Sequence, residues 1–363
     1  MAPEAATQSV VEPARALEQI SSARRWAAEL REKLARRVWG QEAALEAVAS
    51  AYARARLMPG RRGPEGILTF LGPPGVGKTF LAECLAEAIA EVERADVGFR
   101  RFDMGSFAGP QNFEQLFGAE SYYKGSAPGT LTGFLNDHPR AVIVFDEIEK
   151  AHETTIQALL SVLDHDELHD KSLGKSISVR GAWVVFTTNL GRELYARPNY
   201  SGVAREVTPT ASTLFEILAT ARPRRSVGDK DAAPALSAEF VSRLSKGVAV
   251  LFGELSAGDL VALARQNMAA AGRSLALVKV DDRAILVHLL SLVPRIDART
   301  VRSSAEAWLG ELLETGLQHC GEELLRSGTE RLSLSVTCAD DVRRFLNSKG
   351  HGKPWKILLV DED

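Results

Sequence analysis

The hydrophobic pattern of the chain contains three short, mostly apolar runs, of which the first leads into a glycine-rich loop and the other two end in polar residues. They occupy residues 67–71, 141–145 and 183–186. A strand that is apolar at nearly every position is buried on both faces, as in a parallel sheet covered by helices. Apolar residues at helical spacing follow the first run and recur after residue 256. The pattern predicts an α/β fold in which a parallel-sheet domain precedes a smaller, mostly α-helical domain.

The first apolar run leads into a phosphate-binding loop. Residues 72–79 read G-P-P-G-V-G-K-T and open a helical pattern over residues 80–89. Glycines let successive N–H groups turn towards phosphate oxygens, and the helix dipole adds to the attraction. Lys78 is expected to reach the β- and γ-phosphates, and Thr79 to hold Mg²⁺. We expect the following residues to bind ATP: Pro74, Gly75, Val76, Gly77, Lys78, Thr79 and Phe80.

Polar side chains follow the other two runs. Asp146 and Glu147 end one run, and Asn189 ends the other. Because ligands gather at the carboxyl ends of parallel strands, these side chains are expected to lie beside Lys78 and Thr79. Asp146 would bind Mg²⁺, Glu147 would polarise the attacking water, and Asn189 would orient that water. The alternatives are a solvated helix cap for the acidic pair and an ordinary turn residue for Asn189.

Composition narrows the class of protein. The 363 residues suffice for about two domains, and a net charge of −3 gives no sign of bulk nucleic-acid binding. Cys84, Cys320 and Cys338 are far apart, which fits reduced thiols and excludes a C-x-x-C metal or redox pair. The chain contains neither a signal-peptide pattern at its start nor an apolar window of 18 residues. We therefore predict a cytoplasmic protein with no membrane partner.

Three strings in the chain carry a more specific signal. Residues 145–152 read F-D-E-I-E-K-A-H, residues 188–191 read T-N-L-G, and residues 38–41 read V-W-G-Q. They resemble the D-E-I-E-K-A-H signature, the S-N-L-G sensor segment and the V-I-G-Q box of the Clp family of AAA+ protein unfoldases and disaggregases. The likeness is to the ATPase module of their second ring and covers about residues 30–336. It implies that Val38 and Trp39 lie beside the adenine.

The resemblance also implies two arginines that act at the nucleotide. Residues 236–244 are similar to the family's P-E-F-x-N-R segment, so that Arg243 would be the finger that reaches a neighbour's γ-phosphate. Such a finger implies a homo-oligomeric ring, for which we expect a hexamer. Residues 296–302 stand where the family has G-A-R-P-L, which would make Arg299 the second sensor.

The resemblance further implies a pore loop. Residues 118–125 stand where the family has G-A-P-P-G-Y-V-G, whose aromatic residue grips a translocating polypeptide. Tyr123 aligns with that aromatic residue, whereas Tyr122 and Lys124 replace the neighbouring glycine and valine. The alternative is a structural tyrosine pair under a loop. Residues 166–175 follow the hairpin pattern that lines the same pore, although their charges would also suit a solvated tip.

Taken together, the motifs predict a P-loop AAA+ ATPase with a helical lid. The expected parts are a leader and helix over residues 1–29, a large ATPase domain over 30–252, a small lid domain over 253–340 and a tail over 341–363. The end of the tail, residues 354–363, resembles the start of a receiver domain and would equally suit a simple terminal strand.

The predicted function is Mg²⁺-dependent ATP hydrolysis by a ring that remodels or unfolds protein substrates through a central pore. The alternative is an ATP-gated oligomeric switch that threads no polypeptide. The I-G-F or I-G-L tripeptide that docks a Clp-type peptidase is absent from residues 199–234, so we expect no such peptidase partner.

Overall fold

The computed structural model describes residues 13–58, 62–118, 127–191, 211–221, 235–271, 278–291, 297–327, 332–338 and 355–361. The helices are α1 (Pro13–Ala35), α2 (Glu42–Leu57), α3 (Lys78–Glu93), α4 (Glu114–Phe117), α5 (Thr132–Asp137), α6 (Glu153–Asp164), α7 (Ala211–Thr220), α8 (Ala238–Leu244), α9 (Ala257–Ala271), α10 (Asp282–Ser291) and α11 (Ala298–Ser327). The strands are β1 (Gly66–Leu71), β2 (Gly98–Asp103), β3 (Ala141–Asp146), β4 (Glu167–Asp170), β5 (Lys175–Ser178), β6 (Ala182–Thr188), β7 (Val248–Leu251), β8 (Val278–Val280), β9 (Leu332–Cys338) and β10 (Trp355–Asp361). Short 3₁₀ helices span Met104–Phe107 and Ile148–Lys150.

The chain divides into two compact units. The first unit comprises Met1–Pro73 and Gly77–Gly253, and the second comprises Pro74–Val76 and Glu254–Asp363. None of the helices in the described ranges is both long enough and apolar enough to cross a membrane.

A five-stranded parallel sheet forms the centre of the first unit. Its strand order is β2-β3-β6-β1-β7. The inner strands β3 and β6 are buried at every residue, as their unbroken apolar runs predict. The prediction of an α/β fold built on a parallel sheet is therefore confirmed.

The register of the sheet brings the strand ends level. Asp146, the last residue of β3, lies opposite Asp103 at the end of β2, and Leu71 at the end of β1 lies opposite Thr188 at the end of β6. Parallel strands that end at one level present the residues that follow them along a single edge. The loop that follows β1 and the polar residues at the ends of β3 and β6 lie along this edge.

A stack of aromatic rings joins the sheet to α8. Phe145 lies between Phe102 and Phe186, with ring centroids 5.5 and 5.2 Å away, and Phe240 of α8 meets Phe186 edge-on at 5.4 Å. Each such pair contributes about 0.5–1.5 kcal/mol beyond the area that it buries. The stack therefore fixes α8, which carries Arg243, relative to the central strands.

The second unit consists of helices α9, α10 and α11 with a small sheet of order β10-β9-β8. Strand β9 runs parallel to β8 and antiparallel to β10. The hydrophobic core of the second unit includes Met268 of α9, Ile285 of α10, Trp308 of α11 and Val336 of β9. The receiver-like segment of the sequence coincides with β10, and its relation to a receiver domain stays a prediction.

A buried histidine lies in the core of the second unit. The His288 ring stacks on the Trp308 ring, with centroids 4.2 Å apart and an angle of 3° between the planes. Its Nε2 atom is 2.9 Å from the Ser304 hydroxyl. Burial lowers the pKa of His288 to about 4, against a smaller opposite effect of Glu311.

This histidine predicts an acid-sensitive core. The unfolded chain takes up a proton at His288 near pH 6.5, whereas the folded chain resists it until about pH 4. The free energy of unfolding should therefore fall as the pH drops from 6.5 towards 4. His288→Phe retains the ring stacking and removes the titration, so its stability should fall less over this range. Thermal unfolding of both proteins at several pH values tests this. Parallel curves would contradict it.

Candidate active site at the sheet edge

The phosphate loop closes around the side chain of Lys78. Gly77 adopts a left-handed conformation, with φ of +96°, immediately before α3 begins at Lys78. The Lys78 ammonium donates hydrogen bonds to the carbonyl oxygens of Gly72, at 2.7 Å, and Pro73, at 2.8 Å, and the residue as a whole is 7% exposed. The loop thus holds a cation at the start of a helix, where a phosphate chain is favoured.

The carboxylate of Asp146 is the most buried acidic group of the site. It is 4% exposed, and its Oδ1 atom accepts hydrogen bonds from the hydroxyls of Thr79, at 2.9 Å, and Thr187, at 2.5 Å. Its Oδ2 atom is 2.7 Å from a guanidinium nitrogen of Arg101. Each of these three contacts is with a donor that helps to fix the position of the carboxylate.

The oxygen atoms of Thr79 and Asp146 fit a magnesium ion. A hydroxyl and a carboxylate in contact are hard oxygen donors, and Mg²⁺ is usually bound by one or two carboxylates together with water and substrate phosphates. Within the described ranges, no group of three or more His, Cys, Asp or Glu side chains could hold a metal ion. A magnesium site whose other ligands are water and substrate phosphates needs no such group.

Glu147 has a strained backbone. Its φ of +57° and ψ of +56° are left-handed, which costs a residue with a side chain about 1–3 kcal/mol. The Glu147 N–H donates to the Thr187 hydroxyl at 2.9 Å. Its side chain pairs with Lys150, and this hydrogen bond raises the pKa of the Lys150 ammonium. The surrounding contacts therefore maintain an unfavourable conformation that turns Glu147 out of the strand.

Asn189 connects the two halves of the site. Its Oδ1 atom accepts a hydrogen bond from Lys78 at 2.9 Å, and its Nδ2 atom donates to Glu147 Oε1 at 2.8 Å. Its backbone N–H donates to Glu149 at 3.0 Å. One side chain thus joins the phosphate loop to the acidic strand end.

Arg243 lies in a separate ion-pair group. Its Nε atom is 2.8 Å from Asp164, the last residue of α6, and a second nitrogen is 3.3 Å from Glu239. Lys246 also pairs with Asp164, at 2.6 Å. Burial raises the pKa of the Asp164 carboxyl, but the hydrogen bonds from Lys246 and Arg243 outweigh this effect and leave it below its ordinary value. An acidic partner on another helix thereby holds the Arg243 side chain in position.

The remaining predicted site residues have different surroundings. Val38 is buried and Trp39 is 41% exposed. The Phe80 ring lies 5.7 Å from the guanidinium of Arg37. Pro74, Gly75 and Val76 form the turn between β1 and α3, and Arg299 is exposed near the start of α11 in the second unit. The proposed pore residues Tyr122, Tyr123 and Lys124 lie outside the described residues.

The predicted second loop is a hairpin made of β4 and β5. Asp170 at its turn is fully buried, and it accepts hydrogen bonds from the N–H groups of Gly129, at 2.9 Å, and Leu173, at 2.8 Å, and from the Thr132 hydroxyl. The Lys171 N–H donates to the Phe117 carbonyl at 3.1 Å. The carboxylate of Asp170 is thus a structural tie and not part of a solvated tip.

Four residues that contact the site escaped the sequence interpretation: Arg101 on Asp146, Thr187 on both Asp146 and Glu147, Lys150 on Glu147, and Asp164 on Arg243. Arg101 and Thr187 lie near the carboxyl ends of β2 and β6. Their position on strands next to β3 is the signal that could have identified them.

The arrangement of the site defines a class of protein. A strand, a glycine-rich loop and a helix present Lys78 and Thr79, and two neighbouring strands add Asp146, Glu147 and Asn189. This is the arrangement of a P-loop ATPase of the AAA+ class. The model of the family described as AAA domain (Cdc48 subfamily) matches residues 63–246, just over half of the chain. The chain therefore belongs to this family, as a Clp-type AAA+ ATPase module.

Curated relatives named Chaperone protein ClpB support the same conclusion. The chain is 35% identical over 251 residues to the protein of Mycobacterium tuberculosis, which covers 68% of this chain and 25% of the relative. It is 32% identical over 284 residues to the protein of Vibrio cholerae, covering 75% and 30%. ClpB 2 of Thermosynechococcus vestitus is 40% identical over 176 residues, covering 48% and 19%. The chain spans about a quarter of the length of these relatives.

The shared hydroxyl of Thr187 leads to a stability prediction. Thr187→Val keeps the shape of the side chain but leaves an oxygen of Asp146 and the N–H of Glu147 without this partner. Unsatisfied buried groups of this kind cost about 1–3 kcal/mol each. We expect a lower urea midpoint for Thr187→Val and a smaller loss for Thr187→Ser, which retains the hydroxyl. Equal losses for both variants would show that the hydroxyl is not the cause.

Proposed function

We propose that this module binds and hydrolyses Mg²⁺–ATP at the edge of the parallel sheet. The observation that carries the proposal is the continuous set of contacts from Lys78 through Asn189 to Glu147, beside the contact of Thr79 with Asp146. Membership of the AAA family supports nucleotide binding, and the donors of Thr79 and Asp146 suit Mg²⁺.

Each residue of the site has a role in this proposal. Lys78 exchanges its carbonyl and amide partners for phosphate oxygens. Glu147 accepts a proton from the attacking water while Asn189 keeps that water and the carboxylate in line. Thr79 and Asp146 hold the magnesium ion, which neutralises charge on the phosphates when it is bound. Val38 and Trp39 would contact the adenine.

We further propose that the site is completed by a second copy of the chain. Arg243 pairs with Asp164 and Glu239 of its own chain. An arginine lent to a neighbour's γ-phosphate requires a head-to-tail ring, and a hexamer is the expected size. Arg299 belongs to the second unit, which corresponds to the predicted lid domain. It would report the state of the nucleotide.

The output of the ring would be remodelling of protein substrates. The relatives are named as chaperones, and the β4–β5 hairpin suits one wall of a pore. Tyr123, with Tyr122 and Lys124, would contact the threaded polypeptide. A flat amphipathic ring can contact many different side chains at little cost in entropy.

Glu147→Gln tests the hydrolytic role. The amide keeps the size of the side chain and cannot accept the proton, so ATP binding should persist while turnover falls at least about 100-fold. Nucleotide binding and phosphate release are the measurements. Glu153→Gln, an exposed change of the same chemistry at the start of α6, should behave as the wild type. Normal turnover by Glu147→Gln would overturn the assignment of the base.

Mixing two inactive variants tests the action of Arg243 on a neighbour. Arg243→Ala subunits keep their own site but lend no arginine, whereas Glu147→Gln subunits lend an arginine but do not hydrolyse. In mixed rings, about a quarter of the interfaces should regain activity. Lys246→Ala, which removes the other cation on Asp164, serves as the control and should stay active. Inactive mixtures from subunits that do co-assemble would exclude action in trans.

A further inference from the structure

Arg101 is the cation that contacts the proposed magnesium ligand. Its guanidinium Nη2 atom lies 2.7 Å from Oδ2 of Asp146. The Asp146 side chain is 5% exposed and the Arg101 side chain is 45% exposed. The arginine therefore reaches from the surface to a buried carboxylate. Arg101 precedes the end of β2 by two residues, and β2 pairs with β3 along its full length. The strand pairing therefore brings this arginine to the carboxylate.

The two oxygen atoms of Asp146 have different partners. Oδ1 accepts from the hydroxyls of Thr79 and Thr187, which are neutral donors. Oδ2 contacts the positively charged Arg101. A carboxylate this deeply buried requires a counter-charge, and in the absence of metal Arg101 supplies it.

A magnesium ion and a guanidinium repel each other when both approach one carboxylate. Thr79 marks the metal side of Asp146, because its hydroxyl contacts Oδ1. A cation at Oδ2 lies within a few ångströms of that position, where repulsion is strong in a partly buried site. Binding of the metal is thus opposed by a positive charge that the chain itself provides.

We propose that Arg101 is a positioning residue that competes with Mg²⁺ for Asp146. It holds the carboxylate in place while no metal is bound, and it raises the Mg²⁺ concentration at which the metal site fills. Entry of the metal then exchanges one cation for another. This inference rests on the proposed Mg²⁺–ATP site.

The neighbouring residue offers a matched control. Arg100 carries the same charge on the same strand, but its guanidinium lies over the rings of Phe102 and Phe134, 5.8 Å from each centroid. It pairs with Ile143 in the sheet, one position from the Val144 partner of Arg101. Arg100→Gln therefore removes an equal charge from the opposite face of β2.

The experiment is a Mg²⁺ titration of the binding of a fluorescent ATP analogue. The midpoint for Arg101→Gln should fall about three- to tenfold below that of the wild type, because a repelling charge is lost. Arg101→Lys retains a cation and should stay near the wild-type midpoint, and Arg100→Gln should not change it. The melting temperature without nucleotide should fall for Arg101→Gln, because the buried carboxylate loses its counter-charge.

An unchanged or higher midpoint for Arg101→Gln would overturn the competition, as would equal midpoints for Arg101→Gln and Arg101→Lys. If the wild type fails to bind the analogue with or without Mg²⁺, the proposed nucleotide site itself is wrong, which is a distinguishable result.

A measurement on the wild type covers the case in which Arg101→Gln does not fold. Arg101 should react faster with phenylglyoxal in the presence of ADP and Mg²⁺ than in the presence of ADP and a chelator. Equal or slower modification with Mg²⁺ would contradict the exchange of cations.

Discussion

The level alignment of parallel strands at their carboxyl ends is the constraint on which the site depends. Asp146 ends β3 directly beside the end of β2, and β6 continues past β3 to deliver Thr187 and Asn189. The single hydroxyl of Thr187 then links the carboxylate of Asp146 to the backbone of Glu147. Two neighbouring acidic residues are thereby given opposite surroundings, one buried within the sheet and one turned outward on a left-handed backbone.

The charged and polar side chains of the site are linked to one another by hydrogen bonds and ion pairs. Lys78 contacts Asn189, Asn189 contacts Glu147, and Glu147 contacts Lys150, while Arg101 faces Asp146. Hydrogen bonds in such a network support one another in a partly buried site. A nucleotide that enters this edge of the sheet would meet side chains whose positions are already set, and binding would replace existing partners instead of ordering free groups.

The sheet and the phosphate loop could be predicted because each corresponds to a contiguous pattern or motif in the sequence. Unbroken apolar runs identify β3 and β6, and the polar residues after them indicate the functional edge. Contacts such as that of Arg101 with Asp146 correspond to no such pattern, because they join residues that are far apart in the chain and depend on strand order. Arg101 on β2 resembles an ordinary solvated charge until β2 is known to lie beside β3.

Asp170 has a mechanical consequence. One buried carboxylate joins the β4–β5 hairpin to Gly129, and the backbone of Lys171 joins the same hairpin to Phe117. A displacement of the backbone at Phe117 or at Gly129 would be passed to the hairpin across these hydrogen bonds. The hairpin and the two backbone positions Phe117 and Gly129 would therefore move together, and a break at Asp170 would release Gly129 from the hairpin without touching the sheet edge where ATP is proposed to bind.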